Sequence, residues 1–209
     1  MSLPPPLVAL SPGDLARRGA AGERTFLDAT ARAVRAGLRG ILLREPALQD
    51  RPLLELARRL RDALPEDGWT AVHDRVHLAA ACGAQAVHLG FRSLTPARVR
   101  RLLPDGIAIG FSAHAGDEPG LAEGSDYLFF GPVLETPSKR GWKEPVGLER
   151  LAREVRRSPV PVWAIGGIGP EHVRACLDAG CAGVAVRSGA LLAADPAAAC
   201  AELLSALAG

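Results

Sequence analysis

Lysine is almost missing from this chain. Of its 25 basic side chains only two, Lys139 and Lys143, are lysines. The arginines are spread over amphipathic stretches such as Arg58, Arg59 and Arg61, a pattern that reads as solvated helix faces. Formal net charge is only +2, too balanced for a nucleic-acid footprint. The four cysteines, Cys82, Cys176, Cys181 and Cys200, include no CxxC pair, which argues against a metal knuckle or a disulfide framework and for buried free thiols. No stretch approaches the ~20 apolar residues that span a bilayer. The opening MSLPPPLVAL lacks the basic region and the long apolar run of a signal peptide. The expected location is the cytoplasm, without membrane or nucleic-acid partners. A GxGxxG turn before the first helix is also absent, which weighs against a doubly wound dinucleotide fold.

What is present is a regular alternation. Apolar runs occur at LVALS (7–11), GILLRE (40–45), TAVHD (70–74), AVHLG (86–90), AIGFSAH (108–114), YLFFGPV (127–133), PVWAIGG (161–167) and GVAVRS (183–188). Helical patterns lie between and after them, the weakest at DEPGLAEG. The runs are continuously apolar, as strands buried on both faces are. Gly37, Gly83 and Gly180 stand where helices should stop, and Pro96, Pro170 and Pro196 where they should start. Eight such strand–helix units in 209 residues predict an α/β protein, a (β/α)8 TIM barrel folded as a single domain. Residues 1–6 are expected to form a flexible tail.

In such a barrel, chemistry gathers at the C-terminal ends of the strands. Polar residues crowd there: Arg44 and Glu45, His73 and Asp74, His88, Ser112 and His114, Arg187 and Ser188. Gly166, Gly167 and Gly189 join Arg187 and Ser188 as phosphate-site candidates, because glycine lets backbone N–H groups approach an anion. After the sixth strand comes ETPSKRG, with the hydroxyls of Thr136 and Ser138 and the ammonium of Lys139. An anion is a natural partner for that set. Alternation along the fifth strand puts Ser112 and His114 on one face. An imidazole ordinarily titrates near neutral pH, so His114 at its strand end is the first candidate for moving a proton, with Glu135 and Glu45 as alternatives. Arg44 is suited to hold a carboxylate or phosphate bidentately.

Several of these segments resemble one family in order. FGPVLETPSKRG is similar to the GP-[V/I]-[F/Y]-x-T-x-[T/S]-K loop of the thiamine phosphate synthase and TenI family. ILLRE resembles its Q-[L/F]-R-E-K strand, AVHLG its [I/V]-H-[L/I]-G strand, IGFSAH its [I/L]-G-x-S-x-H segment, VWAIGGI its A-I-G-G-I strand and GVAVRSGA its last strand. The resemblance spans about residues 7–200 and implies a TIM barrel that binds thiazole phosphate or thiamine phosphate. It also hints at a homodimer. The family has two branches. The synthase joins a pyrimidine pyrophosphate to thiazole phosphate with Mg2+; the TenI branch tautomerises the thiazole without a metal.

Departures from the synthase pattern weigh on that choice. The lysine of R-E-K is Pro46, the asparagine before Asp74 is His73, and the second metal carboxylate is Ser93. Asp74 alone is a poor Mg2+ site. The expectation is therefore a metal-independent, TenI-like thiazole tautomerase without a cofactor. Pro132 stands where TenI-type enzymes can carry a catalytic histidine, which leaves His114, Glu135 or Glu45 to serve. The alternatives are a synthase with an altered metal site at Asp74, or an inactive regulator that binds the same phosphate. Within the site, Arg44, Asp74, His88, Ser112, Thr136, Ser138 and Lys139 are expected to contact substrate.

Overall fold

The computed structural model describes residues 2–118, 120–136 and 144–209. Eight parallel strands close into one barrel in sequence order, with β1 paired to β8. The strands are β1 (Leu7–Leu10), β2 (Gly40–Leu43), β3 (Trp69–His73), β4 (Ala86–Leu89), β5 (Ala108–Ala113), β6 (Tyr127–Phe130), β7 (Val162–Ile165) and β8 (Gly183–Val186). Each expected strand is present, and most stop where polar or glycine residues begin. Around them lie α1 (Leu15–Arg35), α2 (Asp50–Ala63), α3 (Val76–Ala79), α4 (Pro96–Arg100), α5 (Gly147–Arg157), α6 (Pro170–Asp178) and α7 (Pro196–Ala208). The helix expected at DEPGLAEG does not form. Its described residues make turns in which Gly120 and Gly124 adopt positive φ, as does Gly116 just before them, a geometry that stops a right-handed helix.

Strand alternation sorts the apolar side chains into two cores. Leu7, Ile41, Val87, Ile109 and Val184 face outward and pack under the helices. Val8, Leu42, Ala71, Ala86, Ala108 and Ala185 face inward with Trp69, Tyr127, Phe129 and Trp163. Small residues on some strands accommodate large rings on others. Gly110 is the clearest case: a Cβ there would fall 2.1 Å from Cζ of Tyr127, so only glycine lets that ring cross the barrel. The four cysteines are free and buried. Burial pushes the thiols of Cys176 and Cys200 up to about 11 and that of Cys181 up to about 12, so they act as small apolar fillers.

The N-terminal residues depart from the expected flexible tail. They run across the N-terminal end of the barrel, where the indole of Trp69 donates to the Ser2 carbonyl at 3.2 Å. The Trp163 indole donates to the Pro5 carbonyl at 2.9 Å, and Val184 N donates to the Pro6 carbonyl at 2.8 Å. Two tryptophans that close the barrel floor thus pair their N–H groups with the tail.

Candidate active site

The alternation that fills the barrel also aims its mouth. Two residues beyond the inward Leu42, Ala71, Ala86, Gly110 and Ala185 come Arg44, His73, His88, Ser112 and Arg187. These five side chains therefore converge at the C-terminal end. Desolvation lowers the pKa of Arg44, and the nearby charge of Arg187 lowers it further. Glu45 and Asp74 act in the opposite sense on Arg44, more weakly than Arg187. Among the described residues, neither the Arg44 nor the Arg187 guanidinium has a hydrogen-bond or ion-pair partner. Two half-buried guanidiniums in mutual range, with no carboxylate bonded to either, form a place where an anion relieves repulsion.

His73 lies within charge range of Arg44. Burial, reinforced by Arg44, pushes it down to about 4, so it is neutral near neutral pH. His88 is fully buried, and burial, then His73 and Arg44, hold it well below the usual histidine range. Its Nδ1 lies 3.2 Å from the Tyr127 hydroxyl and its Nε2 lies 2.9 Å from Ser112 Oγ. Its ring packs against Phe129 at a tilt of 38°, with centroids 4.3 Å apart.

Asp74 adopts a left-handed φ of 66° at the end of β3. Its carboxylate accepts a hydrogen bond from the Ser93 hydroxyl, and Ser93 Oγ in turn accepts from Gly90 N at 2.8 Å. Ser93 thus ties the loops after β3 and β4 together. Arg75 holds the neighbouring loop, reaching the carbonyls of Pro46 and Leu48 and the carboxylate of Asp50.

Glu45 does not join the reactive groups. It is 4% exposed, and its two carboxylate oxygens accept from Gly13 N at 2.6 Å and Leu15 N at 2.8 Å. Odd parity turns it outward, where it pins the entry of α1. His114 is buried beside Phe91 and the Asp117 carboxylate, which accepts from His114 N at 2.7 Å and lies 3.6 Å from Nδ1. Its imidazole is thus seated among the loop residues after β5. Glu135 is exposed and Thr136 half-exposed at the end of the described loop, while Ser138 and Lys139 lie outside the described residues.

The glycines after β7 owe their identity to packing as well as to any ligand. Val133 N and Leu134 N donate to the carbonyls of Ile165 and Gly166, so the chain leaving β6 continues alongside β7. A Cβ on Gly167 would lie 2.5 Å from the Glu135 carbonyl, and one on Gly166 2.7 Å from Pro132 Cα. Pro132 follows a cis peptide bond and sits in this seam, as backbone packing and not as a proton carrier. Gly189 differs: a Cβ there would meet only ordinary contacts at 3.4 Å or more. Ser188 and Gly189 are exposed, and their amides make no hydrogen bond to a described residue. They remain the open phosphate-binding candidates.

The family model described as thiamine monophosphate synthase matches residues 15–190. The chain belongs to the thiamine monophosphate synthase and TenI family. A putative thiamine-phosphate synthase of Geobacter sulfurreducens is 41% identical over 182 residues, covering 86% of this chain and 85% of the relative. The thiamine-phosphate synthase of Albidiferax ferrireducens is 40% identical, covering 84% and 82%. The thiamine phosphate pyrophosphorylase of Pyrococcus furiosus superposes with a TM-score of 0.82 at 28% identity, covering 97% and 95%. These relatives carry the name of the synthase branch, which moves the weight away from the tautomerase expected from the substituted positions.

The Mg2+ of that branch is a poor match for the donors present. Among the described residues no three His, Cys, Asp or Glu side chains group closely enough to hold a metal. One Asp74 oxygen is already taken by Ser93, and Arg44 answers the charge of Asp74. A hard cation needs oxygen donors with unspent charge, and this rim offers guanidiniums instead. Among the described residues, Asp74 and its neighbours do not supply the donor set of a resident Mg2+ site.

Sequence reasoning did not find Tyr127 or Arg75. Tyr127 is the only tyrosine of the chain, placed at an inward position of an otherwise apolar strand, and that was the available signal. Nothing local in the sequence marked Arg75.

Proposed function

We propose that this protein catalyses the coupling reaction of the synthase branch, transferring a pyrimidine methylene from diphosphate to thiazole phosphate. One observation carries it: the inward, unpaired guanidiniums of Arg44 and Arg187 at the mouth of the barrel. When the bond between the methylene carbon and the diphosphate oxygen breaks, negative charge collects on the departing diphosphate. Fixed guanidiniums stabilise such charge most where water is excluded. Ser188 and Gly189 offer amides to the thiazole phosphate, and Ser112 offers a hydroxyl between the two. Holding both substrates at one rim supplies the orientation that a two-substrate transfer needs.

A second reading, the thiazole tautomerase, is favoured by Ser93, which leaves Asp74 without a second carboxylate beside it. The decisive assay mixes the pyrimidine diphosphate with thiazole phosphate and follows diphosphate release, with and without Mg2+. Release that needs both substrates, and falls at least about tenfold in Arg44→Ala, supports coupling. No release, together with isomerisation of a thiazole carboxylate phosphate, replaces it with the second reading.

A further inference from the structure

A buried relay runs from the barrel interior to the mouth. Tyr127 OH lies 3.2 Å from His88 Nδ1, and His88 Nε2 lies 2.9 Å from Ser112 Oγ. Tyr127 is wholly inside the barrel, wedged over Gly110 and against Trp69, Phe129 and Trp163. Its hydroxyl has no other hydrogen-bond partner among the described residues. His88 is 1% exposed, so a charged imidazole there is strongly disfavoured and the ring carries one N–H.

Only two neutral arrangements exist. With the proton on Nδ1, the imidazole donates to the tyrosine oxygen, and the phenol hydrogen is left in an apolar interior without an acceptor. With the proton on Nε2, the phenol donates to Nδ1 and the imidazole donates to Ser112 Oγ. The second arrangement satisfies every buried hydrogen; the first strands one. In the second, Ser112 Oγ is already an acceptor, so its own hydrogen turns away from His88. Ser112 is half-exposed, and its hydroxyl makes no other hydrogen bond to a described residue.

We propose that Tyr127 and His88 are positioning residues that lock the Ser112 hydroxyl as a donor into the mouth of the barrel, toward the anion held by Arg44 and Arg187. Tyr127 acts at a distance: it touches no ligand, but it decides which way a ligand-contacting hydrogen points. The orientation also excludes a competing state, in which Ser112 donates inward to Nε2 and presents only lone pairs to an anion. That state would repel the ligand the two arginines attract. The inference rests on the anion-binding part of the proposed function, and its first test needs no ligand.

Nitrogen-15 NMR of the intact protein, with the imidazole nitrogens labelled, reads the tautomer of His88. The expected result is a neutral ring protonated at Nε2 near neutral pH. In Tyr127→Phe the Nδ1 signal should leave its native position, because the phenol that donated to it is gone. A native ring protonated at Nδ1, or a charged one, overturns the lock whether or not Tyr127→Phe folds. Calorimetric titration with inorganic pyrophosphate is the second arm. Tyr127→Phe and Ser112→Ala should each weaken binding by about tenfold, with unchanged melting for Ser112→Ala. Affinity unchanged in both variants overturns the donor role. A native protein that binds no pyrophosphate counts against the proposed function, while the tautomer reading still decides the lock.

Discussion

Replacing Glu45 by glutamine keeps the shape of the side chain but removes the charge that two amides share. Both Gly13 N and Leu15 N donate to it from a buried setting, so Glu45→Gln should cost about 1.5–3 kcal/mol in urea unfolding. The loss of stability should come without the activity profile of a missing proton carrier. His73 makes a different prediction, through pH. Its folded pKa is about 4 against an ordinary value of 6.5, because burial and then Arg44 disfavour its charged form. Between those values the unfolded chain binds the proton and the folded one does not. The stability His73 provides is therefore full above 6.5 and is lost as pH falls toward about 4, roughly 3 kcal/mol in all. His73→Asn should flatten the pH dependence of urea midpoints across that window. At this scale the sequence located groups better than it assigned them work. Arg44 and Glu45 are neighbours along one strand direction and so face opposite ways, yet which face met backbone amides depended on where the loop before α1 passes.

The loop that leaves β6 is fastened at both ends. Val133 and Leu134 continue along β7, and Val146 N and Gly147 N donate to the carbonyls of Pro132 and Val133. The segment between begins and ends at one place beside Gly166 and Gly167. Gly167 has φ +72°, and a Cβ there would sit 2.8 Å from Leu134 Cβ as well as against the Glu135 carbonyl. Gly167→Ala should therefore displace the loop and destabilise the fold by about 1–3 kcal/mol. The same change should weaken thiazole phosphate binding by a larger factor than any stability loss explains, measured by calorimetry well below the melting temperature. The glycines were visible in the sequence as a candidate phosphate turn. That they also make room for a neighbouring loop was not, because the contact joins residues about 30 positions apart.

For the whole molecule, the two ends of the barrel have separate tasks. Trp69 and Trp163 close the floor and bond to the carbonyls of Ser2 and Pro5, while the arginines and Ser112 occupy the opposite mouth. Deleting residues 2–6 strips acceptors from two indoles and from Val184 N. Each stranded donor costs about 1–3 kcal/mol, so the truncated chain should melt markedly lower. Pyrophosphate affinity, read at a temperature where the truncated protein is still folded, should stay within about twofold of the intact value. The sequence by itself determined the architecture to the level of a parallel sheet buried on both faces, since eight continuously apolar runs alternate with helical patterns, and that count favours a closed barrel. Alternation is a property of the strand alone, so parity groups Arg44 with Leu42, His88 with Ala86, Ser112 with Gly110 and Arg187 with Ala185, and the closed barrel turns those faces inward. Only the tertiary structure decided what those inward groups meet. Closing the sheet brings β2 beside β1 and sets β8 within charge range of β2, leaving two guanidiniums without a partner among the described residues. It also lets Tyr127 cross over Gly110 to reach His88. Those pairings depend on the shear and curvature of a closed barrel, which no local stretch of residues encodes.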